Sequence, residues 1–291
     1  MATKVPAFTY SGTSSSEVKN GYWYIYLKSS GTIKFSYAKK LDACIVGGGG
    51  GGAGSCYDYS RGQCGGGGGV MKTQKGIAIT AEKGYAVTVG AGGSGGAPDS
   101  GSGSNGSKGG TSSAFGYSAS GGTGATQNGT PGTGGASGGK YNEPGSNGPY
   151  AFGDSSLSRY AGGGGGGGNS GQAGKSGGAG GGGAGGNANG VSTKESIAGN
   201  PGKPNTGGGG GGAGAPANGN YYGGAGGSGI VILRGTEDDF LPVKFNDTQL
   251  THMTFNGEAV TGLIYNGTRI FAQALRWMRQ RLAGRMRAYG V

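Results

Sequence analysis

The sequence predicts an all-β protein: a jelly-roll-like β-sandwich carrying an inserted polyglycine II helix bundle, then a small β-meander and one C-terminal α-helix. Three observations lead there. Segments rich in aromatic and β-branched residues cluster in the first 46 residues, around 77–89 and again at Ile230 to Arg234. Between them lie uninterrupted glycine runs at Gly47 to Gly52, Gly65 to Gly69, Gly162 to Gly168 and Gly207 to Gly212. Composition changes after the acidic stretch Glu237-Asp238-Asp239.

Phe8-Thr9-Tyr10, Gly21 to Leu27, Thr32 to Tyr37 and Leu41 to Val46 read as strands, because such residues fit a pleated, half-buried surface. Ser29-Ser30-Gly31 supplies the turn between the second and third. Ile77 to Thr80 and Tyr85 to Val89 flank Glu82-Lys83-Gly84, a hairpin signature. Thr111 to Ser118 adds a short strand around Phe115 and Tyr117. Residues 119–228 show little regular patterning, and Ile230 to Arg234 must close the sandwich by pairing with earlier strands.

Two physical readings of the glycine runs compete. Glycine loses more backbone freedom on folding than any other residue and has no side chain to bury, which favours a flexible linker. The alternative is a bundle of glycine helices with three residues per turn and about 3.1 Å rise. Their N–H and C=O groups would bond between neighbours, at an approach only glycine permits. A seven-residue run would span roughly 22 Å. The matched lengths, and the direct fusion of Cys44-Ile45-Val46 and Ile230-Val231 to glycine, favour the bundle. A structureless loop of more than 100 residues inside a compact domain argues against the linker.

The chain has 291 residues, 80 of them glycine, and a formal charge of +11. No strict G-X-Y period is present, which excludes collagen. The positive charge lies at the ends: six Lys/Arg against two acids up to Val46, and seven against two from Phe240 onward. The 193 residues between carry eleven against nine, so the glycine-rich body lacks the basic patch of a nucleic-acid reader. Sixteen tyrosines against eight Phe and two Trp suit a binding surface or a half-wet sheet.

Cys44 reads as a buried thiol. Cys56 and Cys64 bracket a short polar tip, and both a disulfide and free thiols remain open. The lone His252 and the absence of a second cysteine pair argue against zinc. Gly174-Lys175-Ser176 is not a P-loop, because Asn169 stands where the motif needs glycine and no apolar strand precedes it. With one histidine and no carboxylate pair in a recognisable motif, the sequence points to no enzyme and no cofactor. The N-terminus lacks the apolar core of a signal peptide. No stretch approaches the length of a membrane-spanning helix.

The pieces "LDACIVGGGGGG", "YAVTVGAGG", "NTGGGGGG" and "GGSGIVILRG" resemble the glycine-rich domain of bacteriophage and prophage tail proteins, over roughly residues 7–235. A similar domain occurs in ectodomains of the anaplastic lymphoma kinase receptor family. Tail-fibre-tip adhesins of T-even-like phages also carry polyglycine helices with variable loops. The resemblance implies a tail-tip or fibre protein of the virion, made in the host cytoplasm. Its partners would be a bacterial cell-surface receptor, protein or glycan, and other tail proteins. A purely structural tail component and a secreted receptor-type binding domain are the alternatives.

Candidate receptor contacts are the side chains that interrupt or adjoin glycine segments: Tyr57, Tyr59, Arg61, Tyr141, Tyr150, Phe152, Arg159, Tyr160, Tyr221 and Tyr222. Each could equally cap the end of the bundle.

The expected domains are 1–235, a linker at 236–241 and a tail module at 242–291. In that module Asn246-Asp247, Asn256-Gly257 and Asn266-Gly267 recur every ten residues as two-residue hairpin turns. Such repeats resemble C-terminal modules of siphophage minor tail proteins. The last segment reads as a helix with Leu275, Met278, Leu282 and Met286 on one stripe. Arg276, Arg279, Arg281 and Arg285 flank it without a neighbouring acid. It is a candidate assembly element, for a homo-oligomer such as a trimer or for docking to an acidic partner. Membrane insertion is not expected from so narrow a stripe.

Overall fold

A computed structural model describes residues 4–37, 40–55, 61–98, 103–127, 129–188, 197–215 and 221–236, together with short paired strands between 243 and 269. The described chain is mostly β, with two five-stranded antiparallel sheets facing each other in a sandwich-like arrangement and almost no helix. The first sheet has the order β1 (Phe8–Tyr10), β4 (Gly31–Phe35), β7 (Tyr85–Thr88), β8 (Ser112–Ala114), β9 (Tyr117–Ala119). The second has the order β2 (Ser14–Lys19), β3 (Tyr22–Leu27), β10 (Ile230–Gly235), β5 (Lys40–Val46), β6 (Met71–Ala78).

As the apolar run Ile230 to Leu233 implies, β10 sits at the centre of its sheet. Val231 pairs with Leu27 on one side and Ile45 on the other. Strand alternation then sends side chains to two different cores. Trp23, Ile25, Leu27, Leu41, Ala43, Ile45, Val231 and Leu233 meet Ile33, Phe35 and Val87 of the opposite sheet. Tyr24, Cys44, Val46, Ile230 and Ile232 face outward into a second core, covered by Ala151, Phe152 and Ala161. The alternation in Tyr22-Trp23-Tyr24-Ile25-Tyr26-Leu27 thus has a reason, with aliphatic and indole groups between the sheets and tyrosines under the covering segment.

Two expected pairings are corrected. Gly21 to Leu27 and Thr32 to Tyr37 do form neighbouring strands, but β3 and β4 lie in opposite sheets, so Ser29-Ser30-Gly31 crosses between layers. Likewise β6 and β7 do not pair across Glu82-Lys83-Gly84. A glycine- or serine-rich turn marks reversal of the chain, and only the need to bury both apolar faces decides whether the next strand pairs or crosses. β6 also begins earlier than expected, at Met71. Phe115 occupies the β8–β9 turn with φ +54°, rather than a strand.

At the Leu41/Ala43 bulge, Gly76 takes φ +66° and donates its N–H to the Asp42 carboxylate at 3.0 Å. The same carboxylate receives Arg234 Nε at 3.3 Å. The Arg234 guanidinium lies 5.0 Å from the Tyr22 ring centroid and 4.1 Å from that of Phe152. A buried cation is costly unless paired, and here an acid and two aromatic faces compensate it.

The glycine runs are buried and hydrogen-bonded. From Gly47 to Ser55, successive N–H groups turn to three neighbouring segments in strict rotation. Gly47, Gly50 and Ala53 donate to Val70, Gly67 and Cys64; Gly48, Gly51 and Gly54 to Gly110, Ser107 and Ser104; Gly49, Gly52 and Ser55 to Gly227, Gly224 and Tyr221. Its carbonyls accept from three further segments, through Gly93 and Gly96, Gly122 and Ala125, and Gly210 and Ala213. The segment is therefore surrounded on six sides. Backbones approach so closely that a Cβ on Gly50 would lie 2.0 Å from the Thr123 carbonyl oxygen. The runs at 63–70, 162–168 and 209–215 show the same rotation of partners.

In the tail module, β11 (Val243–Phe245) pairs with β12 (Thr248–Leu250), β13 (Thr254–Phe255) with β14 (Glu258–Ala259), and β15 (Ile264–Tyr265) with β16 (Thr268–Arg269). Each pair spans one of the expected two-residue turns. These are three separate two-stranded sheets rather than one meander among the described residues. The linker residues 237–241 and the C-terminal helix, with Leu275, Met278, Leu282, Met286, Arg276, Arg279, Arg281 and Arg285, lie outside the described residues.

Candidate functional site

The ten candidate contact residues separate into two places. One is the end of the glycine bundle remote from the sheets. The run leaving β5 at Gly47 bonds to Val70 next to β6, whereas its other end, Ser55, exchanges hydrogen bonds with Tyr221. Arg61, Tyr141, Tyr221 and Tyr222 gather around this remote end. The Arg61 guanidinium carbon lies 5.6 Å from the Tyr141 ring centroid, and Tyr141 packs on Ala53, Cys64 and Ala125. Tyr222 is 59 % exposed. Tyr57 and Tyr59 lie outside the described residues, as does Cys56; Cys64 is a free, buried thiol whose pKa burial pushes up. Cys44 is also free and buried.

The second place is the base, where the chain from 149 to 161 covers the tyrosine face of the second sheet. A bridge pairs Tyr150 with Arg159, whose guanidinium stacks 3.8 Å from the Tyr150 ring centroid and donates to the Gly148 carbonyl at 2.6 Å. Phe152 takes φ +55° in the short 3-10 turn Ala151–Gly153 and is only 8 % exposed, so it serves the core rather than an outer surface. Tyr160 packs against the second core, and burial pushes its hydroxyl pKa up to about 12.

Arg159 and Tyr160 line an open cleft of about 470 Å³ together with Tyr26, Lys28, Lys203 and Gly181. Tyr26 donates its hydroxyl to Glu17 at 2.7 Å, and burial foremost, then this bond, raises its pKa. Lys28 and Lys203 gave no signal in the sequence beyond their charge. Lys28 follows the last residue of β3 and Lys203 lies between Gly202 and Pro204, and only the fold brings them together.

Among the described residues no group of His, Cys, Asp and Glu could hold a metal ion. No described helix is long and apolar enough to cross a membrane.

The glycine-rich domain family model matches residues 28–236, which takes in seven of the ten strands of the two sheets, β4 to β10. The chain belongs to this family. No curated protein matches it. Membership in the glycine-rich domain family fits the geometry, since the matched segment runs from the end of β3 through every buried glycine run to the end of β10.

Proposed function

We propose that this glycine-rich domain protein is a bacteriophage tail-tip or fibre-associated component that attaches to the host surface through the loops at the remote end of its bundle. In this reading the glycine segments are polyglycine II helices inserted into a jelly-roll-like sandwich. Recognition would proceed without chemistry. The observation that carries the proposal is the three-fold rotation of hydrogen-bond partners along each run. That rotation is what three residues per turn produces. A bundle bonded on six sides holds its end loops rigidly, so their side chains lose less entropy on binding.

Arg61, Tyr141, Tyr221 and Tyr222 would supply the described part of the contact surface, with Tyr57 and Tyr59 adding to it from the sequence just before Arg61. Tyrosine and arginine are the side chains that most often dominate binding energy at interfaces. The receptor would be a protein or glycan of the bacterial surface. The C-terminal module, with its basic helix, would mount the protein on other tail proteins or on copies of itself.

Binding of the labelled purified protein to intact bacteria from a host panel tests the reading. Saturable binding to one host, reduced at least about tenfold by Arg61→Ala with Tyr222→Ala, is expected. Equal binding by wild type and the double variant, or none to any strain in the panel, would remove it.

A further inference from the structure

We infer that the basic cleft at the foot of the bundle is a second binding site, specific for a short acidic saccharide. It stands apart from the remote end invoked above and does not depend on that assignment.

Three cations, Lys28, Arg159 and Lys203, converge on this one cleft, and no Asp or Glu lines it. Among the described residues neither lysine has a carboxylate partner; the ion pair there is Arg234 with Asp42. Glu17, which lines an adjoining pocket with Tyr26 and Tyr160, accepts the Tyr26 hydroxyl. Three like charges gathered without a counter-charge repel one another, and an anion in the cleft would relieve that. Arg159 is already oriented. Its stacking on Tyr150 and its single bond to Gly148 leave the remaining guanidinium donors unused.

The backbone adds donors. Gly180 and Gly181 adopt φ +109° and +94° and line the cleft. Their carbonyls accept from Gly162 and Lys203, yet their own N–H groups find no acceptor in the described chain. Free backbone N–H groups are strong donors that an anionic oxygen can satisfy. The side chain of Asn205, whose oxygen accepts from Ser228 at 3.3 Å, leaves its amide nitrogen available.

Size and surface separate a sugar from a bare anion. The cleft measures about 470 Å³, within the range of small-molecule sites and far larger than an inorganic anion needs. Tyr26 and Tyr160 give it two aromatic rings, apolar surfaces that suit the C–H face of a pyranose. Both hydroxyls are protonated at neutral pH, as for any tyrosine, and burial raises both pKa values further. An acidic sugar matches all three elements: carboxylate or phosphate to the cations and amides, ring to the tyrosines, hydroxyls to Asn205.

Isothermal titration calorimetry of the full chain, at low and at physiological salt, tests this with four probes: a uronic-acid disaccharide, glucose 6-phosphate, cellobiose and inorganic phosphate. At least one acidic sugar should bind about tenfold more tightly than both cellobiose and phosphate, and more weakly as salt rises. Lys28→Gln with Lys203→Gln should weaken it about tenfold, whereas Lys108→Gln, on an exposed glycine-bundle edge, should leave it unchanged. Lys203 is exposed and Lys28 half-buried, so an unaltered unfolding temperature would show that the double variant folds. Equal affinity for phosphate would leave an anion site without sugar specificity and overturn the inference. So would equal affinity for cellobiose, no heat with any probe, or full affinity in the double variant.

Discussion

The sandwich and the glycine bundle bury their interiors by opposite means. Between the sheets, Trp23, Ile25, Leu27, Phe35, Ile45 and Leu233 are fully buried, and removing their apolar area from water drives that part of the fold. Inside the bundle, Gly47 to Ser55 is equally buried but offers almost no side chain. Its stabilisation rests on backbone hydrogen bonds made in every direction, each worth about 1 kcal/mol net, against the high entropy cost of ordering glycine. The difference lies in what each interior tolerates. A side-chain core can lose atoms and relax, whereas a backbone core has no room to gain one.

The largest effect should therefore come from adding a side chain to the bundle. Gly165 donates to Gly183 and accepts from Gly212, and a Cβ there would lie 2.1 Å from the Lys175 carbonyl oxygen. Backbone cannot swing aside as a flexible side chain can. Gly165→Val should lower the thermal unfolding midpoint by more than any single truncation in the sandwich, or prevent folding. A silent substitution would show the run to be a tether. Amide exchange across Gly162 to Gly168 offers a check without mutation, since the observed bonds require strong protection there.

Truncation of the sandwich core comes next. Leu233 is fully buried between the sheets, and Leu233→Ala should cost about 2–5 kcal/mol by the lost transfer energy plus the cavity left behind. Denaturant unfolding measures it. A loss below about 1 kcal/mol would mean that the sheets contribute little and the bundle alone holds the domain.

These expectations show how far the sequence could be read. The apolar strands announced themselves, since Tyr22 to Leu27 and Ile230 to Leu233 carry the residues a buried strand needs. β2 did not, because Ser14 to Lys19 is a polar edge strand, exposed along nearly its whole length and stabilised by pairing with β3. Sheet membership was not legible either, as Ser29-Ser30-Gly31 looks the same whether the chain pairs back or crosses over. At the candidate sites, Arg159 and Tyr160 stood out against glycine. Lys28 and Lys203 did not, because a cleft assembled from distant segments leaves no local pattern.

A smaller effect should follow pH. Tyr160 has its folded pKa raised to about 12, by burial foremost, above the unfolded value near 10. The folded state thus holds this proton more tightly than the unfolded chain. The resulting stabilisation is fully present below about pH 10 and is lost as pH rises toward 12. Tyr160→Phe should flatten the part of that decline due to this residue. An identical stability profile in both proteins between pH 9 and 12, windows set by the same ionisation, would mean that the hydroxyl is not buried.

The smallest effect separates interior from edge within the bundle itself. The segment from Gly90 to Ala97 bonds to three neighbouring segments, around Gly49 to Gly52, Ser107 to Gly110 and Gly223 to Gly229, and leaves one row of side chains uncovered. Gly93 and Gly96 donate to Gly49 and Gly52, while Ala91, Ser94 and Ala97 recur every third residue and are exposed. Their three-residue spacing places those side chains in one outward row, which is why this segment tolerates alanine and serine where Gly47 to Gly52 tolerates nothing. Ala91→Val should accordingly change stability by no more than about 0.5 kcal/mol, as for other surface substitutions. One residue on, a Cβ at Gly92 would lie 1.8 Å from the Gly226 carbonyl oxygen, so Gly92→Val should be severely destabilising. Equal tolerance at both positions would break the three-fold pattern; a large gap between adjacent residues would fix the orientation of the whole segment.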